Sequence, residues 1–213
     1  MFKEIEKNIA LSLLQIKAIK LSPQNPFTWA SGIKSPIYCD NRVTLSYPEI
    51  RNQIKTSFGE LSTKFSGFDH ISGVATAGIA HGALLAEHLG LPFSYVRSSA
   101  KKHGRQNKIE GHIAPGSKIL VIEDLISTGG SSILAVDDLR EAGHKVVGVM
   151  AIFTYEFEKA IQNFSKANCK FETLSRYSVL LPEAQNAEYI TEKEAQVLAE
   201  WSSNPEQWYD QNF

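Results

Sequence analysis

The chain of 213 residues is too long for a disulfide-held miniprotein and too short for two full-sized domains. Hydrophobic residues make up 43% and charged residues 21%, a balance that supports a buried core and excludes disorder throughout. Lys and Arg number 22 against 23 Asp and Glu, so the net charge of −1 gives no global field for nucleic acid or anionic lipid, and any anion site has to be local.

Phe2, Ile5, Ile9, Leu13 and Ile16 recur at three- and four-residue steps, which predicts an amphipathic first helix ending near Ser22-Pro23. Charges interrupt every apolar run at this end, so no secretory leader is expected. The longest apolar stretch, Val146 to Phe153, is far too short to span a membrane. Leu21 to Arg42 carries Pro23, Pro26 and Pro36 and reads as an ordered loop with a short strand at Ile37–Asp40.

From Pro48 a helix is expected to about Phe65, followed by β-rich runs at Ile71–Ala75, Phe93–Val96, Ile119–Ile122 and Val146–Phe153. Helical segments starting near Gly78, Gly130 and Tyr155 separate them. Short unalternating apolar strands divided by helices are the mark of a parallel sheet covered on both faces, so the predicted class is α/β, a central mostly parallel sheet flanked by helices. Ser98 to Gly111 breaks this rhythm. It is polar and basic, with Lys101, Lys102, His103, Arg105 and Lys108, and is predicted to be a long mobile lid. Cys39 and Cys169 lack metal-ligand spacing, so neither a disulfide framework nor a zinc site is expected, and a reducing cytoplasm fits.

The densest chemical signal runs from Ile119 to Ser132. A buried strand leads into two carboxylates, Glu123 and Asp124, and then Leu125 and Ile126 precede a turn of Ser127, Thr128, Gly129, Gly130 and Ser131 that opens a helix. Small residues there let backbone N–H groups converge at a helix N-terminus, which holds a phosphate without lysine. The two acids would repel a phosphate but suit sugar hydroxyls or a hydrated metal. A ribose 5-phosphate has both features.

This stretch resembles the phosphoribosyl pyrophosphate (PRPP) signature of the type I phosphoribosyltransferases. Three further segments resemble the orotate phosphoribosyltransferases among them: the hood loop Phe27 to Arg42 with its Ser31-Gly32-Ile33-Lys34-Ser35-Pro36-Ile37-Tyr38 core, the loop Gly73 to Gly78, and the lid with Arg97, Lys101, His103 and Gly104. The resemblance implies transfer of a 5-phosphoribosyl group from PRPP to orotate, giving orotidine 5′-monophosphate and pyrophosphate. It implies Arg97, Lys101, Lys102, His103 and residues 123–131 on PRPP, with Lys101, His103 and Asp124 catalytic. It places Ser31, Lys34, Tyr38 and Ser127 on orotate. Mg²⁺ bound mainly through PRPP is implied, with no dedicated protein metal site. So is a homodimer in which the lid of one subunit covers the other's site. One domain is expected, with a hood at about 1–45, a core at about 46–180 and a C-terminal helix and tail at about 181–213. The chain has Ser98, Ser99, Ala30 and Ala77 where many members carry lysines, so Lys34, Arg97, Lys101, Lys102 and His103 are left to meet the anionic substrate.

Taken without the resemblance, a basic loop is usually a solvated surface, and Trp29 and Tyr38 pack a loop more often than they stack on a substrate. Trp201, Trp208 and Tyr209 are expected to anchor the C-terminal tail against the hood. A PRPP-sensing repressor would need a DNA-binding segment, and the first helix, with Glu4 and Glu6 among its lysines, shows none. A purine-base transferase is disfavoured by the hood.

Overall fold

The computed structural model describes residues 2–29, 32–98, 108–205 and 207–212. The first helix, α1 (Phe2–Gln15), buries Ile9, Ala10, Leu13 and Leu14 on one face, as the periodicity predicts. It stops well before Ser22, because Lys17 turns the chain at a φ of 57° and the backbone enters β1 (Ile19–Leu21). The proline-rich stretch is more regular than its composition suggests. Strand β2 (Phe27–Thr28) pairs antiparallel with β3 (Lys34–Ser35), and β4 (Ile37–Cys39) pairs antiparallel with β1. A 3-10 helix at Asn41–Ser46 closes the hood, and α2 (Pro48–Ser62), with proline in its first turn where the missing N–H costs nothing, leads into the core.

The core follows as β5 (His70–Val74), α3 (Ala77–Leu89), β6 (Phe93–Val96), β7 (Ile109–Glu110), β8 (Lys118–Ile126), α4 (Gly130–Glu141), β9 (Lys145–Thr154), α5 (Glu158–Lys166) and β10 (Phe171–Arg176). These strands form one six-stranded sheet in the order β10-β9-β8-β5-β6-β7, parallel throughout except for β6 with β7. The predicted α/β class with a mostly parallel sheet and a small N-terminal hood is what the chain adopts. Along β8, Leu120 and Ile122 pack with α1, α2, α3 and the later C-terminal helices, while Ile119 and Val121 pack with α4 and α5. All four are fully buried, and each contributes about 1.5–3 kcal/mol relative to an exposed position. Burial on both faces is why these strands read as unbroken apolar runs.

Several elements differ from expectation, among them β7, a short strand inside the stretch Ser98 to Gly111 that was expected as a loop. The helix after β9 begins at Glu158 and not at Tyr155, because β9 runs to Thr154 and the rings of Tyr155 and Phe157 are drawn into an aromatic cluster. Strand β10 has no counterpart in the predicted set. The C-terminal portion divides into α6 (Tyr177–Asn186), α7 (Glu192–Ser203) and α8 (Trp208–Asn212). Helix α7 starts at a reciprocal capping box, in which the Thr191 hydroxyl accepts from the Glu194 N–H and the Glu194 carboxylate accepts from the Thr191 N–H.

Candidate active site

Strand β8 outruns its neighbour: the last β5–β8 register pair joins Gly73 to Ile122, while β8 continues to Ile126. Glu123 and Asp124 therefore emerge at the carboxyl end of the sheet, where open α/β folds bind ligands. Gly78, at the start of α3, packs so closely on this point that a Cβ would strike the Ile122 carbonyl and the Glu123 Cα. Glu123 is 6% exposed, and its Oε1 accepts from the Asp124 N–H at 3.0 Å. Burial first, and then the charge of Asp124, hold the Glu123 carboxyl well above the ordinary carboxylate range. Asp124 is also raised by burial, but a side-chain hydrogen bond from Glu123 and the charge of Arg42 pull it back. Burial thus raises both carboxyls, Glu123 the more strongly.

Past Ile126 the chain forms the expected cup. Gly129 caps α4 with a φ of 79°, and the ring of Phe164 lies 2.7 Å from where a Cβ would stand. A side chain at Gly130 would meet nothing within 4 Å. The Thr128 carbonyl is tied down by the Asn163 amide at 3.0 Å. The cup thus presents the N–H groups of the first turn of α4 beside the two acids, with Ser127, Thr128 and Ser131 partly exposed around it.

Across the cleft lie the β5–α3 loop, where the Ala75–Thr76 peptide is cis, and the ends of the lid. The Arg97 N–H donates to the Lys108 carbonyl at 2.9 Å, continuing the β6–β7 pairing, so the two feet of the lid stand side by side. The Arg97 guanidinium reaches Glu110 at 3.4 Å, and Lys108 donates to both oxygens of Asp138 on α4 at 2.8 and 3.1 Å. A cleft of about 80 Å³ lies between Ala75, Val96, Arg97, Ser98, Lys108 and Ser131. A wider concavity of about 540 Å³, lined by Lys118, His144 and Lys145, is at the opposite end where β8 and β9 begin, away from the acids and the cup. Lys101, Lys102 and His103, and Ser31 of the hood, lie outside the described residues.

The hood closes the fourth side. Lys34 Nζ donates to the Thr28 hydroxyl at 2.7 Å and lies 5.7 Å from the centre of the Tyr209 ring, so α8 steadies it. Tyr38 packs on Phe27 at 5.7 Å between ring centres. Trp29 is a packing residue, as the bland reading of the sequence had it. Its ring meets Tyr155, Phe157 and Trp201, and its Nε1 donates to the Ile37 carbonyl at 3.0 Å. Among the described residues, no group of three His, Cys, Asp or Glu is arranged to hold a metal. The adjacent pair Glu123 and Asp124, hard oxygen donors in a part-buried site, fits a hard divalent cation carried in by a substrate that supplies most of its ligands. Asn41, whose amide touches the acid-bearing strand, lies within the hood loop Phe27 to Arg42 but was given no role from the sequence, because it carries no charge and stands outside the loop's Ser31 to Tyr38 core.

Residues 46–176 match the phosphoribosyl transferase domain family. The chain is 54% identical over 205 residues to orotate phosphoribosyltransferase of Lactococcus lactis subsp. cremoris (strain MG1363), covering 96% of this chain and 98% of that one. It is 52% identical over 207 residues to orotate phosphoribosyltransferase of Porphyromonas gingivalis (strain ATCC BAA-308 / W83), covering 97% and 99%. Among solved structures it is similar to UMP synthase of Leishmania donovani, with a TM-score of 0.82 and 26% identity. That match covers 95% of this chain and 43% of the Leishmania chain.

Proposed function

The chain belongs to the orotate phosphoribosyltransferases, and on that premise we propose how its loops divide the work of moving a 5-phosphoribosyl group from PRPP to orotate. The reaction releases pyrophosphate and forms orotidine 5′-monophosphate. The observation that supports the assignment of roles is the continuity of β8: the acid pair and the turn that opens α4 follow each other within a few residues at the carboxyl end of the sheet.

In this reading the N–H groups and hydroxyls of Ser127, Thr128, Gly129, Gly130 and Ser131 hold the 5-phosphate. Asp124, ionised, faces the ribose hydroxyls, and Glu123 supports it from beneath. As the bond from C1 to pyrophosphate breaks, positive charge grows on the sugar and negative charge on the departing oxygens. The site acts electrostatically, with no side-chain nucleophile. Arg97, Lys101, Lys102 and His103 belong to the pyrophosphate side, where Lys101 and His103 meet the departing charge and the lid excludes water. Orotate enters beneath the hood, against Ser31, Lys34 and Tyr38 and near Ser127. Mg²⁺, held through PRPP with Glu123 and Asp124 at hand, would offset the substrate's charge. The working unit is a homodimer with the lid acting in trans. Its place is the cytoplasm, where the free thiols of Cys39 and Cys169 stay reduced.

Loss of orotate absorbance on adding PRPP tests the reading, with hypoxanthine, adenine and uracil as competing bases. Turnover of orotate alone is expected. Turnover of a purine, or PRPP binding without turnover of any base, would overturn it.

A further inference from the structure

Asn41 is fully buried where the hood turns into its 3-10 helix, 83 positions along the chain from the strand that it touches. Its Nδ2 donates to the Asp124 carbonyl at 2.8 Å, at a point where β8 has already run past the end of β5. A hood side chain thus takes the place of β5 on one side of the acid-bearing strand, while β9 stays paired with it on the other as far as Ile126. Asn41 is itself held on both sides. Its Oδ1 accepts from Cys39 Sγ at 3.4 Å, and its carbonyl accepts from the Thr44 hydroxyl at 2.6 Å. Thr44 Oγ1 also lies 3.2 Å from His81 Nε2 on α3. The single Thr44 proton is already given to Asn41, so His81 is the donor there. Thr44 and His81 are buried too. One unbroken polar chain therefore joins α3, the hood and the peptide that carries the Asp124 side chain.

We infer that Asn41 is a positioning residue of the transfer step: it fixes the Asp124 peptide, and so the direction of that carboxylate toward the ribose, from the element that also covers the base. The inference rests on the proposed role for Asp124. A buried amide that holds a backbone carbonyl cannot be replaced by an isosteric apolar group without leaving that carbonyl unpaired. The acid then loses its alignment at the stage where the sugar becomes cationic, while the phosphate cup, built on α4, is untouched.

The test compares Asn41→Leu, which keeps size and lacks the donor, with Asn41→Asp, which can donate only when protonated. For Asn41→Leu, kcat is expected to fall about tenfold or more while the PRPP dissociation constant, read by calorimetry, stays within about twofold. Asn41→Asp is expected to show the same loss at alkaline pH and to recover part of it as the pH is lowered, a profile that neither wild type nor Asn41→Leu shows. Thermal melts at each pH separate this from unfolding. If Asn41→Leu does not fold, Asn41→Ser, too short to reach the carbonyl, carries the same expectation. Wild-type kcat in a folded Asn41→Leu or Asn41→Ser, or equal losses in kcat and PRPP affinity, would overturn the inference. Absence of PRPP-dependent orotate turnover in the wild type would instead overturn the functional reading on which it rests.

Discussion

Glu123 is the more buried of the two acids, and burial raises its carboxyl, so above the ordinary carboxylate range the folded state binds more protons than the unfolded chain. Stability from this group is full at low pH and is lost as pH rises through the raised range. Glu123→Gln, which cannot ionise, is expected to flatten the fall in melting temperature as pH rises above the ordinary carboxylate range and to melt higher than wild type at the alkaline end. A melting curve for the variant that tracks the wild type across this range would show that Glu123 is not buried in the protonated form. Thr128 is the simplest probe of the cup, since its hydroxyl has no partner among the described protein groups while its carbonyl is fixed by Asn163. Thr128→Val is expected to weaken PRPP binding by about 1.5–3 kcal/mol, the worth of a hydrogen bond to a charged group, with no change in melting temperature. Isothermal calorimetry reads this directly, and unchanged affinity would remove the hydroxyl from the site. These residues were legible in the sequence because acids and cup lie in one short segment. Asn41 was not, since its meaning depends on a contact across the fold that no local pattern encodes.

At the scale of elements, the turn into α4 separates two uses of glycine that the sequence shows only as Gly129-Gly130. Gly129 is needed by the fold, for it has a left-handed backbone and the Phe164 ring lies against it. Gly130 has open space around it. Gly129→Ala is therefore expected to cost at least about 1–2 kcal/mol of stability by denaturant titration. Gly130→Ala is expected to leave stability equal or slightly higher, as alanine suits a helix better, yet to weaken PRPP binding. The reverse pattern would mean that the cup faces the other way. The central strands could be read in advance because burial on both faces leaves only apolar residues. Strand β10, an edge strand reading Phe-Glu-Thr-Leu-Ser-Arg, could not, because one side lacks a strand neighbour and polar residues are tolerated there. Of the small hood strands, β4 was expected at Ile37–Asp40 and runs Ile37–Cys39, while β1, β2 and β3 were hidden around the prolines, and the capping box at Thr191 was a readable helix start.

For the whole molecule, the proposed homodimer with the lid acting in trans carries a prediction of its own. The paired feet of the loop at Arg97 and Lys108 fix where it leaves the sheet, beside α4. Mixing Lys101→Ala with Asp124→Asn, each inactive alone, and allowing subunit exchange tests action in trans. Every mixed dimer would then have one site with an intact cup and an intact lid and another damaged twice. Random pairing makes about half the dimers mixed, so activity is expected to recover to about a quarter of wild type. No recovery, with mixed dimers verified by native mass spectrometry, would show that each lid serves its own subunit.

The aromatic cluster has a practical consequence. The sequence contains three tryptophans, and all belong to the same end of the molecule: Trp29 in the hood, Trp201 in α7 and Trp208 in α8. The Trp29 and Trp201 rings meet edge to face at 5.7 Å, with Tyr155 and Phe157 against both, and Trp201 and Trp208 are almost wholly sealed from water. None lies in α4 or in the cup. Intrinsic emission is thus a built-in optical reporter of the hood end, where orotate is proposed to bind, and is expected to respond less to events at the turn into α4. A titration that changes this fluorescence with orotate but not with inorganic phosphate would follow the hood alone, without any label being attached.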